Sequence, residues 1–191
     1  MKVVGIDCSQ KVKTSTSNEL LKVALNKIES LGVETDSIRL IDYILELCTG
    51  CNQCVQGNIC SLTDDFDDIC EKLMPADGLL FASPVYWGRY PSILSCFIDR
   101  VRKFTKMPHP LFRKHAGLIV QTGISDNALT IGSFGQLFKS FAMINVITVG
   151  IGMMDYEEAP LKDENAVFLA QSVGERLVLS LHSEKIKKIF G

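Results

Sequence analysis

The 191-residue sequence has no apolar run near the ~20 residues that a membrane helix requires, so no membrane partner is expected. It also lacks an excess of one charge. Twenty basic against 22 acidic residues leave a net charge of −2, whereas a nucleic-acid or anionic-membrane binder would be basic. Disorder has no footing, because hydrophobic residues make up 47% and charged residues 22%. Lys2 and a short apolar stretch begin the chain, but Asp7 interrupts it too early for a signal peptide, and a cytoplasmic protein is expected. Neither glycine-rich phosphate motif is present: there is no GxGxxG and no GxxxxGK followed by Ser or Thr. The three histidines, His109, His115 and His182, share no spacing that would give them a role. Internal repeats and linkers are missing as well, and the length fits one domain, residues 1–191, large enough to bury roughly 70% of the unfolded chain's surface.

Cysteine is plentiful. The count of seven is odd, which in a chain without an export signal argues against a disulfide framework. Four of the seven fall within residues 48–60, and reduced thiols so crowded commonly bind metal.

Strand and helix patterns alternate along the chain. KVVGID (2–7) reads as a strand, and a hydroxyl-rich loop follows it. Leu20, Leu21, Ala24, Leu25, Ile28 and Leu31 carry helical spacing up to a stop at Gly32. A rather polar strand is expected at 33–40. A helix opened by Thr63 is expected at 63–74, with Asp64 and Asp65 complementing its dipole. Further strands are read at 78–82, 116–121 and 145–151. Helices are read from Pro91 to Val101, near 129–143 and over 163–188. This order predicts an α/β fold, a flavodoxin-like parallel sheet of order 2-1-3-4-5 covered by helices on both faces. Residues 41–62, after the second strand, form the one long connection without obvious structure, and such loops are commonly functional.

Ligands of such sheets bind beyond the carboxyl ends of the strands, at the switch point between the first and third. The loop there offers Ser9, Thr14, Ser15, Thr16 and Ser17, with Lys11 and Lys13, just before a helix N-terminus, which suits a phosphate monoester. The plainer alternative is a polar loop that caps a helix. The loop after the third strand, SPVYWGRYPS (83–92), carries Tyr86, Trp87 and Tyr90 with Pro84 and Gly88, and the loop after the fourth is TGISDN (122–127). Aromatics here suit a flat ring system, or else an interface or packing cluster. A phosphate and a flat ring at this point together indicate FMN.

The segment CTGCNQCVQGNIC has the spacing C-x2-C-x2-C-x5-C, with Cys48, Cys51, Cys54 and Cys60. Two successive C-x2-C steps wrap a cubane, and Gly57 allows the chain to turn and bring Cys60 back as the fourth thiolate, so a 4Fe-4S cluster is expected. Zinc, or free redox-active thiols, are the alternatives. Cys70 and Cys96 fall in helical patterns and read as core residues, and Cys8, at the end of the first strand, reads as packing.

With these pieces assembled, the chain resembles the iron–sulfur flavoprotein family, within the NAD(P)H-dependent FMN reductases. The resemblance rests on GIDCS (5–9), the cysteine loop, TDDF (63–66), ADGLLFASPVYWG (76–88) and FIDR (97–100), and beyond residue 105 it is one of architecture. It implies one FMN and one 4Fe-4S cluster per subunit. By position, Ser9, Lys11, Ser15, Thr16 and Ser17 would hold the phosphate. Pro84, Val85, Tyr86, Trp87 and Gly88, with Thr122, Gly123 and Ser125, would frame the ring. The family's usual Gly-Ser-Pro-Arg start reads Cys8-Ser9-Gln10-Lys11 here, so Lys11 keeps the charge without the arginine fork.

The expected activity is electron transfer, with a ferredoxin-like donor reducing the cluster, the cluster reducing FMN, and FMN serving a small-molecule acceptor. The alternatives are an NAD(P)H-dependent FMN or quinone reductase with structural cysteines, and a non-enzymatic cluster-based redox sensor. No side chain stands out as an acid–base catalyst. In a 2-1-3-4-5 sheet the cysteine loop follows the edge strand, away from the ring. The family's answer is a homodimer or homotetramer in which Cys48–Cys60 of one chain packs near the 84–90 loop of another. Two features are read in support: surplus aromatic surface at Tyr86, Trp87 and Tyr90, and a basic stretch at 99–114 set against an acidic one at 64–71. Either charge run also reads as a solvated face.

Overall fold

The computed structural model describes residues 1–13, 15–104, 108–123, 127–152 and 160–190. Five strands form one parallel sheet of order β2-β1-β3-β4-β5, as the alternating pattern predicts. They are β1 (Lys2–Asp7), β2 (Glu34–Arg39), β3 (Gly78–Pro84), β4 (His115–Thr122) and β5 (Ile144–Gly152). The central strands β3 and β4 are buried along their whole length, which explains their continuous apolar runs. The polar sequence of β2 fits its place at an edge.

Helices cover both faces. On one side α1 (Thr16–Ser30) and α5 (Glu164–Phe190) pack Leu20, Leu21, Ala24 and Ile28 with Ala170, Val173 and Leu177. The two helices approach so closely at Gly174 that a Cβ there would lie 2.6 Å from the Ala24 carbonyl oxygen. On the other side lie α2 (Phe66–Leu73), α3 (Ser92–Val101) and α4 (Ala128–Ser140). There Phe66 meets Phe97, and Phe81 packs against Phe134 and Phe138, at centroid separations of 5.6–5.7 Å. Tyr90, partly buried, packs against this core, edge-on to Phe134. Among the described residues no helix is long and apolar enough to cross a membrane.

Most element boundaries shift by one to three residues from expectation, and the starts of α2 and α3 are the informative cases. The second helix starts at Phe66 rather than Thr63. The Asp64 carboxylate reaches back to the backbone N–H of Glu46 at 2.7 Å and that of Asp65 to Ile44 at 2.7 Å, so both close the cysteine loop. Pro91 is the residue before α3 rather than its first residue. The register of the central strands brings Asp7, Ala82 and Ile119 level, so β1, β3 and β4 deliver their following loops to the same end of the sheet.

Candidate functional site

At that end, one cavity is lined by Ser9, Lys11, Ser15, Thr16, Ser17, Pro84, Val85, Tyr86, Gln121 and Gly123. The structure thus gathers the five expected phosphate residues and four of the expected ring-framing residues in one place. Thr122, buried at the end of β4, does not line this cavity. Trp87 is 95% exposed and Gly88 stays outside as well, both at positive φ in a turn closed by Tyr86 and Arg89. Thr14 and Ser125 lie outside the described residues. Gln121 was missed by sequence reasoning, which took the site from loops and passed over the last residues of a strand.

The hydroxyl loop is held from below. Asp7, fully buried at the end of β1, accepts hydrogen bonds from the Ser9 N–H (3.0 Å) and the Ser17 hydroxyl (3.3 Å). Burial pushes its carboxyl above the usual range, against the opposing pull of Ser9, Arg39 and Ser17. Ser15 is the N-cap of α1, accepting from the Asn18 N–H at 3.2 Å as the helix-capping alternative expects, and it also lines the cavity. The N-terminus of the 15-residue α1 faces the cavity that Lys11 also lines, and both favour an anion.

Arg39 closes the loop from the side. It stands beside Asp7 in the β1/β2 register and its Nε contacts Asp7 Oδ2 at 3.4 Å. Its Nη2 reaches three successive carbonyls, those of Lys11 (2.7 Å), Val12 (3.2 Å) and Lys13 (3.2 Å). With these carbonyls turned outward to a guanidinium, the loop keeps a fixed curvature around the cavity.

The second constellation is the cysteine loop between β2 and α2. Cys48, Cys51, Cys54 and Cys60 line one cavity with Thr49, Gly50, Asn52, Ser61, Leu62 and Arg102. Positive φ at Gly50, Asn52 and Gly57 curls the backbone around it. Among the described residues, no three His, Cys, Asp or Glu side chains are grouped to hold a metal ion. The Gln53 N–H and the Thr49 hydroxyl hold the Cys51 thiol below its ordinary value.

The other cysteines divide. Cys8 and Cys70 are buried, as packing residues would be, and burial pushes both thiols up, Cys70 to about 12, which disfavours the thiolate form. Cys96 is more than a core residue, for its thiol donates to the Glu46 carbonyl at 3.3 Å under the cysteine loop. The basic and acidic runs meet within the chain, Arg100 on Asp64 and Lys103 on Asp67 at 2.6 Å, so this pairing gives no support to an interface.

Residues 1–158 match the family model described as NADPH-dependent FMN reductase. The chain is 36% identical over 150 residues to an iron–sulfur flavoprotein of Methanocaldococcus jannaschii, an alignment covering 78% of this chain and 76% of that one. Among solved structures, the NAD(P)H:quinone oxidoreductase from Methanothermobacter marburgensis superposes with a TM-score of 0.73 at 20% identity, covering 93% of this chain and 96% of that one. RosB with its bound intermediate 8-demethyl-8-formylriboflavin-5'-phosphate gives 0.74 at 16% identity, over 94% of this chain and 79% of that one. These two likenesses support the flavodoxin-like fold. The chain belongs to the NADPH-dependent FMN reductase family and, within it, to the iron–sulfur flavoproteins, and it is an FMN-dependent oxidoreductase.

Proposed function

We propose that this protein is an electron-transfer flavoprotein in which a 4Fe-4S cluster held by Cys48, Cys51, Cys54 and Cys60 exchanges electrons with FMN, between a ferredoxin-like donor and a small-molecule acceptor. The observation that carries this reading is the presence, in one chain, of a hydroxyl-lined anion cavity and a cavity ringed by four thiols. When bound, the cluster supplies one-electron transfer and FMN supplies two-electron chemistry. Ser9, Lys11, Ser15, Thr16 and the N-terminus of α1 would hold the FMN phosphate, while Ser17 is engaged by Asp7 beneath them. Pro84, Val85, Tyr86, Gln121 and Gly123 would frame the ring, with Ser125 placed there by the family pattern. Four thiols lining one cavity at C-x2-C-x2-C-x5-C spacing suit a cubane, whose irons each take one thiolate, while four-cysteine zinc sites commonly use two separated pairs.

The geometry also supports a homo-oligomer. The Gln10 side chain, in the hydroxyl loop, donates to Ser92 at the start of α3, while Arg100, near its end, touches the cysteine loop. Eight residues of helix separate the two by about 12 Å along its axis. The cysteine loop exposes Ile44, Leu47 and Ile59, the last 89% exposed, and the 84–90 loop exposes Trp87. Packing these surfaces between subunits of a homodimer or homotetramer would cover them and bring cluster and ring together.

Rapid mixing under anaerobic conditions tests the proposal. Reduced ferredoxin should reduce FMN in the parent and fail to do so in Cys54→Ala. Equal FMN reduction rates in both proteins would remove the cluster from the path. NAD(P)H as an efficient sole donor to Cys54→Ala would favour the reductase reading, which the quinone oxidoreductase likeness keeps in view only at the level of fold.

A further inference from the structure

The cysteine loop leaves and re-enters the fold through a neck. The Asp65 N–H donates to the Ile44 carbonyl at 3.1 Å, and the Glu46 N–H donates to Asp64 Oδ2 at 2.7 Å. Arg100 locks this neck from α3, with only 4% of its surface exposed. Its Nη1 donates to the Glu46 carbonyl (2.9 Å) and to Asp64 Oδ2 (2.5 Å), and its Nη2 donates to Asp64 Oδ1 (3.0 Å). The guanidinium lies over the Phe66 ring, 4.8 Å from its centroid. Four protons sit on the two Nη atoms, and three are accounted for. The fourth acceptor is the Cys60 sulfur, 4.0 Å from Nη2.

Closing a loop does not require a buried ion pair. Taking both charges out of water offsets most of their attraction, and apolar side chains of similar size commonly serve as well. The feature that an apolar pair would not reproduce is a fixed positive donor against one of the four thiols. A donor at a ligand sulfur orients it and stabilises the more negative, reduced state of a metal–thiolate group.

We propose that Arg100 is a positioning residue for the thiolate-held metal group, fixing Cys60 through the Asp64–Glu46 neck and raising the potential of the group that Cys60 ligates. This rests on the cluster reading above. Asp64 acts through Arg100, and its carboxylate faces the neck.

The test compares the parent with Arg100→Lys and with the double variant Arg100→Gln, Asp64→Asn, all loaded anaerobically with iron and sulfide. Lysine keeps the charge but cannot span Glu46, Asp64 and Cys60 together. Iron retention against a chelator should therefore fall by about 10–100-fold. The double variant keeps a hydrogen-bonded neck and removes the ion pair whole; because the guanidinium is the member of the pair that contacts the Cys60 sulfur, the iron–sulfur midpoint potential should move to more negative values. FMN content at the parental level in each variant shows that the fold is intact. Parental iron retention in Arg100→Lys, with an unmoved potential in the double variant, would overturn the proposal. A parent that takes up no iron would instead refute the cluster reading itself.

Discussion

Replacing Arg39 should weaken FMN binding without touching the ligand-facing groups. The Arg39 side chain lies at the rim, 25% exposed, and its contacts run to the outer side of the hydroxyl loop. Two Nη2 protons serve three carbonyls, so two effective charge-assisted hydrogen bonds are a fair count. Each contributes about 1.5 kcal/mol at the low end for a charged donor, because water can replace it at this exposure. Losing one to two of them costs about 1.5–3 kcal/mol of loop order, or about 10–100-fold in the FMN dissociation constant. Arg39→Ala also strips the buried Asp7 of its cation, so Arg39→Lys is the cleaner variant: it leaves a charge near Asp7 but cannot bridge three carbonyls. Titration followed by flavin fluorescence gives the affinity, with riboflavin as the control. The lysine variant should lose most of the preference for FMN over riboflavin while riboflavin binding stays as in the parent. Unchanged FMN affinity, or equal losses for both flavins, would refute the reasoning.

Other outcomes follow from the same contacts. Truncating Ser9 and Thr16 together should weaken FMN by several kcal/mol, since each lost charge-assisted bond costs about 1.5–3 kcal/mol, with riboflavin affinity as the check. Gly174→Ala should lower the thermal midpoint, because the added Cβ would lie 2.6 Å from the Ala24 carbonyl oxygen and must push α1 from α5. Burial pushes the Asp64 carboxyl up, but Arg100 and the N–H groups of Glu46 and Phe66 outweigh it and hold the group below the usual carboxylate value. Its contribution to stability is therefore full above that ordinary value of ~3.9 and is lost as pH falls through the lowered one. In acid unfolding, Asp64→Asn should show less loss of stability below pH ~4 than the parent; identical acid limbs would argue against the pair's role.

The strand–helix alternation was enough to predict the sheet order, because buried strands such as 78–82 are apolar throughout and parallel connections leave few arrangements. The hydroxyl loop and the cysteine spacing were legible because each lies within a short stretch. Contacts set by register were not. Asp7 and Arg39 stand 32 residues apart and meet only because β1 and β2 pair with no offset. Asp64 and Asp65 look like residues of a helix's first turn, yet they hold Glu46 and Ile44, partners that only the closed neck supplies. The opposite charges at 64–71 and 99–114 invited an intermolecular reading. The fold places α2 and α3 on the same sheet face, where Arg100 and Lys103 find Asp64 and Asp67 within the chain.

The most direct test is the iron, sulfide and FMN content of anaerobically prepared protein, measured with its visible spectrum. About four irons, four sulfides and one FMN per chain are expected, with Cys54→Ala losing the broad visible absorbance and keeping the flavin bands. Stoichiometric zinc in protein made with ample iron, or FMN with no iron, would contradict the account.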